Sequence, residues 1–234
     1  MARIVKEDEY ALRRNEILDT AQRLVYTKGY EQMSIQDILA ERQISKGAFY
    51  HYFDSKGSLL EAIIELMLDE ATLLLQPIVD DPHLAALDKL KRYFSVAGRW
   101  KVAQKAFMLE ILRVWYNDDN AIVRQKISAA GLKRVAPMID AIVEQGVHER
   151  VFDIPCPDRL GEVSLSLMYS LGDTITLELL SRDPTPASLE RIVAMVAAYT
   201  HALERILGAP SNSIELVEPE ILEEWFVAAM EVHT

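Results

Sequence analysis

An all-α protein is predicted, with an N-terminal helix-turn-helix head of three helices over residues 1–56 and a larger helical body over residues 57–234. Three observations carry this. Apolar residues recur at three- and four-residue spacings in segment after segment, the period of helices that bury one face. Ser34 and Ser45 each open a short run of this kind, as helix N-caps do. Proline, glycine and Asn/Asp stops at Gly29, Pro77, Asp81–Pro82, Asn117–Asn120, Pro155–Asp158 and Asp183–Pro186 cut the chain into helix-length pieces.

Residues 10–28 form the first helix, with Ile17, Leu18, Ala21, Leu24 and Val25 on one face and Gly29 as its stop. Ser34 caps the second, whose inward residues are Ile35, Ile38 and Leu39, with Asp37 at capping-box spacing. A turn at Arg42–Gln43–Ile44 leads to Ser45, which caps the third. There Phe49 and Phe53, four apart, point inward. The fourth helix opens at Asp54–Ser55–Lys56–Gly57 and ends at Pro77. It is apolar nearly all round through Leu59, Leu60, Ile63, Ile64, Leu66, Met67 and Leu68, so it links head to body.

Asp81–Pro82 starts a fifth helix with Leu84, Leu87, Leu90 and Phe94 on one stripe, and a sixth runs from Gly98 to Tyr116. A seventh follows Asn117–Asn120 and reaches Gln145, bent at Pro137. Two long helices, 158–181 and 187–207, are apolar on more than one face, so each packs inside its own subunit and against something else. Residues 218–232 form a further amphipathic helix that packs on the body or extends a dimer contact.

The third helix carries the function. With Phe49 and Phe53 inward, Lys46, Gly47, Ala48, Tyr50 and His51 face out. Lys46 reaches a guanine edge or a phosphate, Gly47 lets the backbone approach, and Ala48 suits a thymine methyl. Tyr50, His51 and Tyr52 in a row expose aromatic bodies that a partner would explain. Lys56, beside the N–H groups that open the fourth helix, makes a phosphate clamp, and Arg13 and Arg14 can touch phosphates from the first helix. The net charge of −11 does not oppose this, since residues 1–60 hold nine basic and nine acidic residues and the whole excess lies in the body.

Gly29–Tyr30, Ser34, Ile38, the run Ser45–Lys56 and Leu59 resemble the DNA-binding domain of the tetracycline-repressor (TetR) family, over residues 10–60. Ile142–Gly146 with Val151–Phe152 is similar to a further stretch of that family, although Arg150 stands where a glycine is common. The resemblance implies a homodimer joined by its last two long helices, here 158–181 and 187–207, bound to a pseudo-palindromic double-stranded operator and released by a small-molecule effector held in the body. It places DNA contacts on Ser34, Gln36, Lys46, Gly47, Ala48, Tyr50, His51, Tyr52 and Lys56. One departure stands in the turn: the family has a small residue and then glycine where this chain has Arg42 and Gln43, so Gln43 takes the left-handed conformation at a cost.

For the effector pocket the large, adaptable residues Trp100, Phe107, Met108, Trp115, Tyr116, Met168 and Tyr169 are the candidates, most of them equally suited to ordinary core. Glu110 and Asp173 either meet a ligand there or pair with Arg113 and Arg182. No phosphate loop, HExxH, CxxC, nucleophile elbow or dinucleotide fingerprint occurs, and the five histidines are scattered, so neither an enzyme nor a bound cofactor or metal is expected. The single cysteine fits a cytoplasmic protein without disulfides, and no stretch reads as a membrane span. The expected protein is therefore a repressor released by a small, largely apolar effector. Its rivals are a ligand-independent DNA binder acting through protein partners and an enzyme in the helical body.

Overall fold

The computed structural model describes residues 2–116, 121–154, 158–180 and 186–231. Among them there are ten helices and no strand: α1 (Ala2–Lys28), α2 (Ile35–Arg42), α3 (Lys46–Tyr50), α4 (Lys56–Asp80), α5 (Ala86–Ala103), α6 (Lys105–Trp115), α7 (Ala121–His148), α8 (Leu160–Leu179), α9 (Pro186–Leu207) and α10 (Pro219–Glu231). The chain divides into two compact units, Met1–Leu68 with Ala106–Ile127, and Asp69–Lys105 with Ser128–Thr234.

In the first unit the face read from periodicity is the buried one: Ile17, Leu18, Ala21, Leu24 and Val25 of α1 meet Ile38 and Leu39 of α2 in a core that also takes Met33, Leu59, Leu60 and Ile63. The helix α1 begins eight residues before the expected position 10. It ends where expected, because Gly29 adopts φ +79° and its N–H reaches the Val25 carbonyl at 2.9 Å. Both halves of the α2 capping box are made, the Ser34 hydroxyl accepting from the Asp37 N–H at 3.2 Å and the Asp37 carboxylate from the Ser34 N–H at 2.8 Å. Three ion pairs run along the α1–α2 seam: Glu16 with Arg42, Arg23 with Glu41, and Lys28 with Asp37 at 2.8 Å. The Lys28 ammonium and then the Ser34 donors hold the Asp37 carboxyl well below the usual carboxylate range.

In the second unit several boundaries differ from those read in the sequence. Pro77 does not end α4, which continues to Asp80. Proline there forfeits only its own bond to the preceding turn, and the burial of Ile78 and Val79 beyond it holds the last turn. Asp81 does not cap α5. Its carboxylate accepts from the His83 N–H at 2.9 Å in a local turn, and α5 starts at Ala86, whose N–H is taken by Glu149 of α7 at 2.9 Å. The helix expected from Gly98 to Tyr116 is two helices: Gly98 and Trp100 belong to α5, which stops at Gln104, and α6 belongs to the first unit from Ala106 onward.

Helix α7 carries Pro137 within it and runs three residues past the expected Gln145. Beyond it Arg150 takes φ +60°, so the position that favours glycine has the conformation that favours glycine. Gly146 is required as well, since a Cβ there would lie 2.1 Å from the Phe152 ring. Helices α8 and α9 pack on each other, and α10 packs on α5, α8 and α9, as the amphipathic pattern of 218–232 led one to expect. Glu218, at its start, joins α10 to Ser95 and Arg99 of α5. The expected breaks at Asn117–Asn120, Pro155–Pro157 and Asp183–Thr185 lie outside the described residues.

Helix α8 enters against α7 through Gly161. Its N–H donates to Asp140 at 2.6 Å, and a Cβ in its place would stand 2.2 Å from the Ala136 carbonyl oxygen. An alanine in a helix gains about 1 kcal/mol over glycine where space is open. Here backbone atoms cannot give way as side chains do, so Gly161→Ala should instead destabilise by about 1–3 kcal/mol. Urea unfolding measures this, and a variant as stable as the parent would show that the α7–α8 crossing is looser than described.

Candidate nucleic-acid interface

Five residues are too few for a helix to persist alone, so α3 stands on its cap and its anchor. The Ser45 hydroxyl accepts from the Ala48 N–H at 3.1 Å. Phe49 is fully buried and Phe53 nearly so, their rings 5.8 Å apart. This turns Lys46, Gly47, Tyr50 and His51 out to solvent, with Ala48 half-buried between them. The Lys46 ammonium lies 5.8 Å from the Tyr50 ring, and Ser34 and Gln36 are exposed at the start of α2.

The turn between α2 and α3 has Gln43 at φ 52°, ψ 41°, left-handed as the departure from glycine implied, with its N–H on the Leu39 carbonyl. Tyr52 is the exception to the outward set. It is half-buried, its ring 4.8 Å from Tyr10 of α1 and 5.0 Å from His51, while Tyr10 also meets His51 edge-on at 5.5 Å. The aromatic run is thus partly explained from within the protein, and Tyr50 and His51 are the rings left to a partner. Tyr10 was missed by the sequence reading although a signal existed: it is exposed, but it lies seven residues before Ile17 and so on the same side of α1 as the buried stripe.

At the start of α4, Ser55 and Ser58 cap reciprocally, each hydroxyl accepting the other's backbone N–H at 3.0 Å. Lys56 is more enclosed than a bare clamp would be. Its ammonium sits 4.2 Å from the Tyr30 ring centroid and donates to the Glu31 carbonyl at 3.3 Å, and burial lowers its pKa. Tyr30 in turn donates to the Lys56 carbonyl at 3.1 Å, and burial, then the Glu31 charge, push its hydroxyl up to about 12, which keeps it a donor. An ammonium has three donors, so Lys56 has donor capacity beyond its bond to Glu31.

A groove of about 550 Å³ opens beside α3, lined by Ala48, His51 and Tyr52, by Tyr10, Arg13 and Glu16 of α1, and by Arg42 at the end of α2. It shares Ala48 and His51 with the outward face of α3.

The residues read as an effector pocket are divided between the two units. Phe107, Met108, Glu110, Trp115 and Tyr116 are in the first; Trp100, Met168, Tyr169 and Asp173 are in the second. Phe107 is buried, and Met108, Trp115 and Tyr116 are half-buried. Arg124 caps the Trp115 carbonyl at 2.7 Å and lies 5.4 Å from the Tyr116 ring. Glu110 pairs with Arg113 at 3.4 Å, and its carboxylate stands 3.0 Å from where a Cβ on Gly29 would be. Met168 and Trp100 are half-buried, while Tyr169 and Asp173 are exposed on α8. Tyr169 neighbours the buried Tyr93, whose hydroxyl burial and then Tyr169 push up. Arg182, the other expected carboxylate partner, lies outside the described residues.

Residues 17–63 match the family described as bacterial regulatory proteins, tetR family. An uncharacterised HTH-type transcriptional regulator of Lactococcus lactis subsp. lactis is 47% identical over 52 residues, covering 22% of this chain and 26% of that protein. The HTH-type transcriptional repressor KstR2 of Rhodococcus jostii is 38% identical over 58 residues, 25% of this chain and 28% of the repressor. The chain therefore spans about a quarter of the length of these curated relatives. A TetR-family transcriptional regulator from Pectobacterium atrosepticum superposes with a TM-score of 0.65 at 21% identity, covering 87% of this chain and 98% of that one, which extends the likeness in fold to both units.

Gln43 carries the cost of a left-handed backbone without the freedom of glycine. Gln43→Gly should stabilise the protein by about 0.5–1 kcal/mol less whatever glycine loses in the unfolded chain. A lower urea midpoint in the variant would mean that the Gln43 side chain contributes more than its backbone costs.

Proposed function

We propose that this chain, whose residues 17–63 match the tetR family of bacterial regulatory proteins, is a cytoplasmic repressor whose homodimer binds a pseudo-palindromic operator and leaves it when a small, largely apolar effector occupies the body. The observation that carries the DNA part is α3. Complete burial of Phe49 leaves Lys46, Gly47, Tyr50 and His51 exposed together on a capped helix, the arrangement that enters a major groove. In this reading Lys46, Gly47, Ala48 and Tyr50 meet base edges. Ser34, Gln36, His51, Tyr52 and Lys56 position the backbone, Tyr52 chiefly by holding His51.

The dimer is supported by the surface of α8 and α9. Val163, Ser166, Ser170 and Leu177 recur three, four and seven apart on α8, all exposed, and Val193, Ala194, Ala197 and Ala198 are exposed on α9. Small and apolar residues on two adjacent helices suit a four-helix bundle with a second copy. No described helix is long and apolar enough to cross a membrane. Residues 1–56 serve as the reading domain and 57–234 as the effector and dimer domain.

For the effector, support comes from the residue types on α5, α6 and α8, taken unit by unit: Phe107, Met108, Glu110, Trp115 and Tyr116 are the proposed contacts in the first unit, and Trp100, Met168, Tyr169 and Asp173 those in the second. The link to DNA is α4, whose residues up to Leu68 belong to one unit and from Asp69 to the other. A ligand that favours a body conformation mismatched to the operator must bind that state more tightly, and the penalty is mutual. A hundredfold loss of operator affinity corresponds to about 2.7 kcal/mol of coupling.

Footprinting of duplexes selected from a random pool should show two-fold symmetric protection, with half-sites ~34–36 Å or a multiple of it apart. Lys46→Ala should then change the preference among operator variants, while Lys56→Ala weakens all of them alike and lowers the salt slope by about one. Protection of a single asymmetric half-site would sink the dimeric reading. Native mass spectrometry of the purified protein should reveal a retained apolar ligand, and stripping it should change operator affinity at least tenfold. An affinity unchanged within twofold would leave a DNA-binding protein with no effector switch.

A further inference from the structure

The groove between α1 and α3 holds a charge arrangement that the reading above leaves unused. The Glu16 carboxylate accepts from two guanidinium groups at once, Arg13 at 3.2 Å and Arg42 at the end of α2. Arg13 is 57% exposed, and Glu16 and Arg42 are each 31% exposed, so all three reach solvent. One carboxylate cannot neutralise two cations, and the triad keeps a formal charge of +1. Glu9 on the same rim returns the groove to neutrality while His51 is neutral. Ala48 and His51 line the same groove as Arg13, and both are on the face that the DNA reading turns to the operator.

We propose that Arg13 and Arg42 form a second backbone clamp, closing on an operator phosphate at the edge of the groove that α3 enters, with Glu16 holding both guanidinium groups in place until the phosphate arrives. This rests on the DNA-binding reading above and adds residues to it. The geometry favours a duplex phosphate over a small free anion, because Glu9 and Glu16 make the unoccupied groove neutral and only a ligand already docked through α3 is driven into it. Guanidinium is the right donor, since its planar fork spans two phosphate oxygens where an ammonium meets one. It also assigns a role to Arg42, the last residue of α2, where the family pattern has a small residue. Arg42 is tied to α1 rather than left on the surface, and its reach to the backbone is set by Glu16.

Phosphate contacts carry no sequence information, so a fluorescein-labelled duplex of random sequence is a sufficient probe, titrated against salt by anisotropy. Arg13→Ala and Arg42→Ala should each lower the slope of log affinity against log salt by about 0.9. Glu16→Gln is the decisive variant. It keeps the size of the side chain and removes the carboxylate that competes with phosphate, so duplex binding should tighten about threefold or more at low salt. A purely structural Glu16, needed only to fix the turn, predicts the opposite sign. Weaker binding by a Glu16→Gln protein that retains its circular-dichroism melt overturns the clamp. So do unchanged salt slopes in both arginine variants. Should Glu16→Gln fail to fold, Arg13→Ala, at an exposed position, decides alone. If the parent binds the duplex and Lys56→Ala weakens it while the arginine variants leave the slope unchanged, the clamp fails and the DNA reading stands. A parent that binds no duplex overturns both.

Discussion

The burial of Phe49 is the constraint on which the reading surface depends. A five-residue helix has no stability of its own, and α3 makes its turns because Ser45 caps one end and Phe49, with Phe53 a turn later, is locked in the core formed by α1, α2 and α4. Everything α3 presents follows from this one orientation. Rotating the helix by a single residue would bury Tyr50 and expose Phe49, moving Lys46 and His51 off the common face. The surrounding elements limit that freedom. Ser34 and Asp37 fix the start of α2, Gln43 accepts a left-handed backbone to aim α3, and Tyr10 backs His51 and Tyr52 from α1.

Charge is distributed so that an acidic chain carries a neutral head. Within that head the arginines are mostly engaged with glutamates along the α1–α2 seam, where each exposed pair contributes little stability. Their consequence is geometric: they fix where guanidinium groups stand relative to α3. Glu16, shared by Arg13 and Arg42, is the clearest case, because its two partners border the same groove as Ala48 and His51.

In the body, helix ends are finished by distant residues rather than by local caps. Glu149 of α7 accepts the first N–H of α5, Asp140 of α7 accepts that of Gly161 in α8, and buried Glu204 accepts the N–H groups of Ser213 and Ile214 after α9. Buried Lys89 satisfies its ammonium on the Val79 carbonyl at 2.5 Å. Each of these joins two elements, so an uncapped end costs packing as well as a hydrogen bond.

The chain by itself determined the helical class, the faces of α1 to α3, the two serine caps and the strain at Gln43, because these follow from local spacing and from backbone preferences that act over a few residues. It also specified the amphipathic α10. What only the tertiary structure decided is whatever depends on contacts between distant residues. The start of α5 moved to Ala86 because the acceptor for its first N–H is Glu149, 63 residues away. The α5–α6 break at Gln104 left no glycine or proline as a signal, and it sends Trp100 and Phe107 to different units. Tyr52 turned inward because Tyr10 was there to receive it. Arg13 and Arg42 came together on Glu16 because α1 and α2 pack side by side, 26 residues after Glu16 in the case of Arg42. Pattern along a chain shows which face is buried; it does not show which distant group arrives to meet it.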